Sequence, residues 1–226
     1  RLGWEEKPNE PYFDSILRPL ILGLASFGDN QAVSTEAVSR FNAATKPEDL
    51  HPDLRGIIYG TAVRHGSQAE FDKLLDFYKT TPSAEEKITL CSALTGFEQP
   101  ELIKAALALI TTDAVRLQDV TYWIAYSFSN RHGYRIAWQW MQDNWQWLKD
   151  NLESDMTFSR LPFYAARSFM TDKDLQEYTD FFASIETPAL TRTISQGKEV
   201  IEWQTEWYNK DYQPVLNYLT EWNKRS

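Results

Sequence analysis

The chain has 226 residues, of which 42% are hydrophobic and 14% aromatic, enough for a sizeable core in one or two domains. Its formal net charge of −9 argues against nucleic acid and against anionic membrane surfaces as main partners. Cys91 is the only cysteine, so the chain can form neither an intrachain disulfide nor a cysteine-based metal cluster.

The first ten residues are polar and contain Pro8, and we interpret residues 1–10 as a lead-in from an upstream domain. The chain begins at Arg1 rather than at a methionine, so we expect it to be a piece of a longer polypeptide with any targeting signal upstream. No apolar run approaches the roughly 20 residues that span a bilayer. A single cysteine and the lack of an Asn-x-Ser/Thr sequon favour a cytoplasmic location.

Residues 11–226 predict a single domain built from helices. The first helix covers about residues 12–27, with its large apolar residues spaced three or four apart on one face. Ser67 with Glu70, and Ser83 with Glu86, have the Ser-x-x-Glu spacing of a capping box. Helices are predicted over about residues 31–44, 54–65, 68–80, 84–94 and 102–110.

Residues 117–148 predict a helical hairpin that is rich in tryptophan. It holds Trp123, Trp138, Trp140, Trp145 and Trp147 out of nine tryptophans in the chain. Because each tryptophan buries a large apolar area, we predict a central packing unit, with its second helix running on to residue 148. Stacking of these rings on a sugar or a base is the alternative interpretation.

Four more helices follow, over about residues 158–170, from about 172, from about 188 through 203, and over 212–222. Starts of helix pairs recur every 30–40 residues or so, a period typical of helical-hairpin arrays. We therefore predict an all-α fold, a superhelical stack of antiparallel helix pairs resembling a HEAT-like α-solenoid. About 12 helices would form a concave bowl.

No catalytic or metal-binding pattern is recognisable. His51, His65 and His132 have no histidine or cysteine three or four residues away, so a zinc site in this chain is not expected. Cys91 lies on an apolar helix face and is predicted to be a core residue. The carboxylate pairs Glu85–Glu86 and Asp172–Asp174 stand at helix starts, where they suit capping. We predict no catalytic residue and no metal ligand.

Two arginines are the candidates for ligand binding. Arg160 stands at the start of a mostly apolar helix, and Arg167 follows two turns later. An arginine on a concave helical surface can hold a carboxylate through two parallel hydrogen bonds. A solvated charge or a local salt bridge is the alternative.

Several short motifs carry a family resemblance by their order and spacing. They are Leu2-Gly3-Trp4, Leu17-Arg18-Pro19-Leu20, Asp53-Leu54-Arg55 with Tyr59, Gln118-Asp119-Val120, Gly133-x-x-x-Ala137-Trp138, Asn144-Trp145, Phe181-Phe182 and the region of Trp203. Together they cover nearly the whole chain. They resemble the C-terminal helical domain of aminopeptidase N-type zinc metallopeptidases, shared with the endoplasmic reticulum and puromycin-sensitive aminopeptidases.

The resemblance implies a domain that caps the catalytic domain of the same polypeptide and encloses the peptide substrate. The family's zinc-binding His-Glu-x-x-His helix and its Gly-x-Met-Glu-Asn loop belong to an upstream domain, and neither motif occurs here. The zinc cofactor would therefore lie outside this chain. In several members an arginine that matches Arg160 reaches towards the substrate cleft, which implies a substrate-binding role for Arg160.

Three functions remain open at this point. The leading hypothesis is the substrate-enclosing domain of a zinc aminopeptidase. The second is a free-standing helical-repeat scaffold that binds a protein or peptide in its concave face, because function does not follow from fold. The third is an independent hydrolase with an unrecognised site.

Overall fold

The computed structural model describes residues 2–64, 66–185 and 187–224. Those residues form twelve α-helices and no strand, which confirms the all-α prediction. The chain folds as two compact units, Arg1–Leu109 and Ile110–Ser226. The superhelical stack, the concave bowl and the single repeat domain over residues 11–226 stay predictions.

The first unit contains the helices that periodicity predicts. They are α1 (Tyr12–Phe27), α2 (Gln31–Ala43), α3 (Arg55–Arg64), α4 (Gln68–Thr80), α5 (Ala84–Leu94) and α6 (Pro100–Leu109), with 3₁₀ turns at Pro47–Asp49 and Pro52–Leu54. His65, the predicted end of the third helix, lies outside the described residues. Phe41, Tyr59 and Phe77 pack together in the core, with ring centroids 6.3–6.4 Å apart.

The two predicted capping boxes differ in outcome. The backbone N–H and the hydroxyl of Ser67 both donate to Glu70, at 2.7 and 2.9 Å, and the backbone bond in particular lowers the pKa of that carboxyl. The Ser83 hydroxyl accepts from the N–H of Glu86 at 3.2 Å, but the Glu86 carboxylate does not reach back. The second box is therefore wrong in its reciprocal half, because Glu86 has stronger partners elsewhere.

Those partners form a buried network between α3 and α5. Arg55 donates to Glu86 at 2.7 Å and Tyr59 donates to its other oxygen at 2.8 Å. Burial first, and then the bond to Glu86, raises the pKa of Tyr59. The Arg55 and Tyr59 of the family motif thus bind a buried carboxylate. A buried ion pair needs such satisfied hydrogen bonds to offset its desolvation.

The N-terminal segment is anchored to the first unit. Buried Arg18 donates to both carboxylate oxygens of Glu10, one at 2.9 Å, and to the carbonyl of Gly3 at 3.2 Å. Its hydrogen bonds lower the pKa of Glu10. Arg40 lies over the ring of Trp4, 5.0 Å from its centroid. Residues 2–10, interpreted above as a lead-in, therefore pack against α1 and α2.

The second unit also contains six helices in its described residues. They are α7 (Val120–Ser129), α8 (Tyr134–Asp143), α9 (Trp145–Leu152), α10 (Leu161–Ala166), α11 (Asp172–Ala183) and α12 (Pro188–Asn223), with 3₁₀ turns at Leu117–Asp119 and Phe158–Arg160. The helix predicted over residues 158–170 is thus a 3₁₀ turn followed by a short α-helix. None of the described helices is both long enough and apolar enough to cross a membrane.

Two predicted helix boundaries in this unit are wrong. The hairpin's second helix breaks at Asn144, whose side chain donates to the carbonyl of Trp140 at 2.8 Å and competes with helical hydrogen bonding. The last two predicted helices are one, because residues 203–212 contain no glycine or proline and helix-compatible side chains continue α12. Pro214 lies inside α12, where it leaves one backbone carbonyl without its usual donor.

The tryptophan-rich hairpin is a packing unit, as predicted, within the second unit. Trp123, Trp138 and Trp145 are at most 7% exposed. The Trp138 ring lies 5.1 Å from Phe181, and Trp145 lies 5.7 Å from both Phe181 and Phe182. Perpendicular and tilted pairs at these distances add to the hydrophobic stabilisation of the core. Packing therefore accounts for these three tryptophans.

Helix α12 approaches α10 and α11 closely at Gly197. A Cβ atom at this position would lie 2.1 Å from the Tyr178 hydroxyl and 3.2 Å from the Ala166 Cβ. Tyr178 is fully buried and its hydroxyl has no hydrogen-bond partner among the described residues. Residue 197 must therefore be glycine because no room exists for a Cβ atom, although its backbone conformation is that of an ordinary helix.

We expect Gly197→Ala to lower the free energy of unfolding by roughly 1–3 kcal/mol, the usual cost of overpacking a core. Gly60→Ala is the matched control, since a Cβ there meets no atom within 4 Å and alanine favours the helix. Urea unfolding of both variants checks this. Equal stability of the two would contradict the close approach.

We expect Glu86→Ala to destabilise the protein by about 3–5 kcal/mol, because it leaves the part-buried Arg55 charge without its carboxylate and the buried Tyr59 hydroxyl without its acceptor. Glu85→Ala, at the neighbouring exposed carboxylate, controls for helix-dipole effects. Chemical denaturation measures both. A cost for Glu86→Ala no greater than for Glu85→Ala would remove the network from the description.

Candidate functional site

Arg160 is presented by a tightly fixed turn. Asp155 accepts from the backbone N–H and the hydroxyl of Thr157 at 2.7 and 2.6 Å, and these bonds lower the pKa of Asp155. Phe158 is buried against Trp145, 5.4 Å between ring centroids. With Phe158 turned inward, Arg160 at the end of the same 3₁₀ turn faces solvent and is exposed.

Arg160 lines an open groove between α10 and α12. The groove has a volume of about 550 Å³. Phe163 and Tyr164 contribute from α10, and Val200 and Trp203 from α12. The polar lining from α12 is Thr193, Gln196 and Glu199. Its walls are therefore largely apolar, with a few polar groups, as is typical of ligand sites.

The groove contains one cation and one anion that are not neutralised by the described part of the chain. The side chains of Arg160 and Glu199 form no hydrogen bond or salt bridge with another described residue. Arg18, Arg55 and Arg135, by contrast, each pair with a carboxylate. Arg160 thus keeps its guanidinium available to an incoming acceptor.

Helix α10 is held in place from α12. The Gln204 side chain donates to the carbonyl of Phe169 at 2.7 Å, just beyond α10, and to the carbonyl of Ala166, its last residue, at 3.3 Å. Buried Ala165 and Ala166 present only methyl groups at this end of α10. Small side chains and one amide therefore fix the distance between the two walls of the groove.

The other residues considered from the sequence lie elsewhere. Arg167 is exposed at the end of α10 and does not line the groove. Cys91 is fully buried, in agreement with a core role. Asp174 is buried, caps α11 and pairs with Arg135, in agreement with capping. Sequence reasoning therefore located one residue of the groove.

The histidines are dispersed. His51 faces Glu6 at 3.8 Å, and His132 accepts from Arg131 at 2.9 Å. His65 lies outside the described residues. Among the described residues no three histidine, cysteine, aspartate or glutamate side chains are grouped to hold a metal ion. A zinc ion thus has no ligand set in this part of the chain.

The model of the family described as ERAP1-like C-terminal domain matches residues 1–202. The chain belongs to this family. The resemblance inferred from the short motifs is confirmed, and this ERAP1-like domain is the C-terminal part of an aminopeptidase N-type protein.

Relatives of this ERAP1-like domain are much longer proteins. It is 28% identical over 214 residues to Aminopeptidase M1 of Arabidopsis thaliana, covering 92% of the chain and 24% of that protein. Aminopeptidase N of Lactobacillus helveticus is 32% identical over 207 residues, a match that covers 89% of the chain and 24% of that protein. Aminopeptidase 2 of Candida albicans is 25% identical over 222 residues, a match that covers 96% of the chain and 24% of that protein. The chain thus spans about a quarter of the relatives that it matches.

Sequence reasoning missed most of the groove in this ERAP1-like domain. The signal was present in the spacing, because Tyr164 follows Arg160 by four residues. Gln196, Val200 and Trp203 likewise follow one face of α12. What the spacing could not supply was which faces of α10 and α12 oppose each other, since that depends on packing between separate helices.

We expect Arg160→Ala to leave the urea midpoint unchanged, because the side chain has no partner in the described chain. Gln204→Ala should lower the free energy of unfolding by roughly 1–3 kcal/mol, since it removes the side-chain donor to the carbonyl of buried Phe169. Parallel unfolding curves test the contrast. A destabilised Arg160→Ala protein would mean that Arg160 has a structural role.

Proposed function

We propose that this chain is the C-terminal domain of a zinc aminopeptidase, in which it caps the catalytic domain and encloses the peptide substrate. The parent enzyme would remove N-terminal residues from peptides. The observation that carries the proposal is the unpaired Arg160 in an open groove, in a chain of the ERAP1-like family. The named relatives, all aminopeptidases, support the parent activity.

Arg160 is proposed to bind a carboxylate of the peptide substrate. Its planar guanidinium can form two parallel hydrogen bonds with one carboxylate, and such charge-assisted bonds are stronger than neutral ones. Phe163, Tyr164 and Trp203 offer apolar contact area to neighbouring side chains of the peptide. Gln196 can pair with peptide N–H and C=O groups. The lining therefore suits a peptide better than a purely apolar ligand.

Zinc is proposed to be bound by the part of the parent protein outside this chain. When bound there, zinc would activate water for attack on the scissile peptide bond. The described residues of this chain offer no ligands for the ion. Their proposed task is to hold the peptide and to exclude bulk water when the domain closes on the catalytic domain.

Turnover of chromogenic aminoacyl substrates tests this function. The full-length gene product and the 226-residue chain are assayed with and without a chelator. Activity confined to the longer protein, and lost on chelation, is the expected result. Inactivity of both would instead favour a helical scaffold that binds a protein or peptide. Turnover by the short chain that survives repurification would favour an independent hydrolase.

We expect Arg160→Ala in the full-length enzyme to reduce kcat/KM for peptides on the order of 10- to 150-fold, the loss of a charge-assisted hydrogen bond. Short aminoacyl chromogenic substrates lack the peptide carboxylate and should be affected much less. Arg167→Ala is the control, because Arg167 is exposed but outside the groove. Unchanged kinetics across peptides of several lengths would remove Arg160 from substrate binding.

A further inference from the structure

Helix α1 is packed with its apolar side outward. Its buried residues are Arg18, Leu22 and Ser26, which follow one another at intervals of four. Apart from Leu22, its large apolar residues are 41–79% exposed: Tyr12, Phe13, Ile16, Leu17, Leu20, Ile21, Leu24 and Phe27. We call these eight side chains the outer face of α1. An amphipathic surface helix ordinarily shows the reverse arrangement.

Polar contacts fix this orientation. Arg18 binds Glu10 through both carboxylate oxygens and reaches the carbonyl of Gly3. The Ser26 hydroxyl lies 2.6 Å from that of Thr61, in the core of the first unit. Turning the outer face inward would break both the ion pair of Arg18 with Glu10 and the hydroxyl contact of Ser26 with Thr61, and it would leave the Thr61 hydroxyl without this partner. The outward apolar face is therefore a property of the fold.

The outer face is large enough to be an interface. Tyr12, Phe13 and Phe27 are 72–79% exposed, and an aromatic side chain buries about 150–250 Å², so these three alone expose roughly 300–600 Å². That already equals the largest apolar patch of a typical monomer, and the aliphatic residues add to it. A specific interface covers about 800 Å² on each partner, which is within reach of this face.

The chemistry of the face selects an apolar partner. The only charged residues of α1 are Asp14 and Arg18, and neither belongs to the outer face. An apolar groove of about 660 Å³ adjoins it, lined by Ile21 of the face together with Trp4 and Val33. A partner with an apolar helical stripe would cover both features.

We propose that the outer face of α1 is the surface on which the rest of the parent polypeptide docks. This rests on the proposed function, in which the chain is one domain of a longer enzyme. The relatives extend well beyond the match, which covers only 24% of their length, so a covalently linked partner is available. Such a partner is present at a high effective concentration, an advantage that a free partner or a second copy lacks.

Hydroxyl-radical footprinting of the unmodified full-length gene product tests the proposal without any substitution. Tyr12 of the outer face, at 74% exposure in this chain, should be oxidised more slowly than Tyr122, which has the same intrinsic reactivity, is 49% exposed and serves as the internal reference. Slow oxidation is expected because a docked segment shields the face. Oxidation of Tyr12 at or above the rate of Tyr122 would overturn the proposal.

Photo-crosslinking identifies what covers the face. Phe13 is replaced by p-benzoyl-phenylalanine in the full-length product, and exposed Lys104 of α6 is replaced likewise as a control. A mixture of light and heavy isotope-labelled protein separates links within one chain from links between copies. Links from Phe13 to the same chain outside residues 1–226 are expected. Links to a second copy, links only within residues 1–226, or a yield no higher than at Lys104 would each contradict it.

Aminopeptidase turnover of the same preparation is read separately. If the outer face is shielded and cross-linked but the protein has no aminopeptidase activity, the docking surface is supported and the proposed function is contradicted. If the enzyme is active but its outer face stays reactive, the proposed function is supported and the docking surface is contradicted.

Discussion

The second unit depends on the close approach of α12 to α10 and α11 at Gly197. Because a hydrogen replaces a side chain there, the Tyr178 ring can lie against the α12 backbone, and the methyl group of Ala166 comes into contact distance. Gln204, two turns further along α12, then reaches the carbonyls of Ala166 and Phe169. The same two helices carry the walls of the Arg160 groove, so a packing constraint in the core sets the width of a surface site.

The charged residues that support the family resemblance differ in whether another residue of the chain compensates their charge. Arg18 and Arg55 each bind a buried carboxylate and hold helices or the N-terminal segment in position. Asp119 of a third motif is buried and accepts from Arg116 at 2.6 Å. Removing one member of such a pair leaves an uncompensated buried charge, which explains why these motifs are recognisable without any catalytic role. Arg160 differs, because its charge is not compensated within the described chain, and that difference makes it the candidate for binding.

Helical periodicity predicted the fold class and most helices, because each depends on spacing along one segment. The helix boundaries that periodicity predicted wrongly were set by local features of the chain. The side chain of Asn144 ends α8, and an uninterrupted helix-compatible stretch joins the two segments predicted within α12. The orientation of α1 was not predictable from its pattern, since the apolar face is outward and the buried face carries Arg18. For the site, Arg160 was a candidate from its place at the start of an apolar helix and was then supported by the family resemblance, whereas Glu199 lies on a separate helix that only folding brings near.

Photoaffinity labelling of the full-length gene product tests most directly whether this domain contacts substrate. The probe is a non-hydrolysable peptide with a photoreactive group on its C-terminal residue, and peptide mapping locates the label. Label on the groove walls, at Tyr164 or Trp203, competed by unlabelled peptide and lost in Arg160→Ala, is the predicted result. Label confined to the protein outside residues 1–226, or label in the groove that Arg160→Ala leaves unchanged, would contradict a substrate-enclosing role that acts through Arg160.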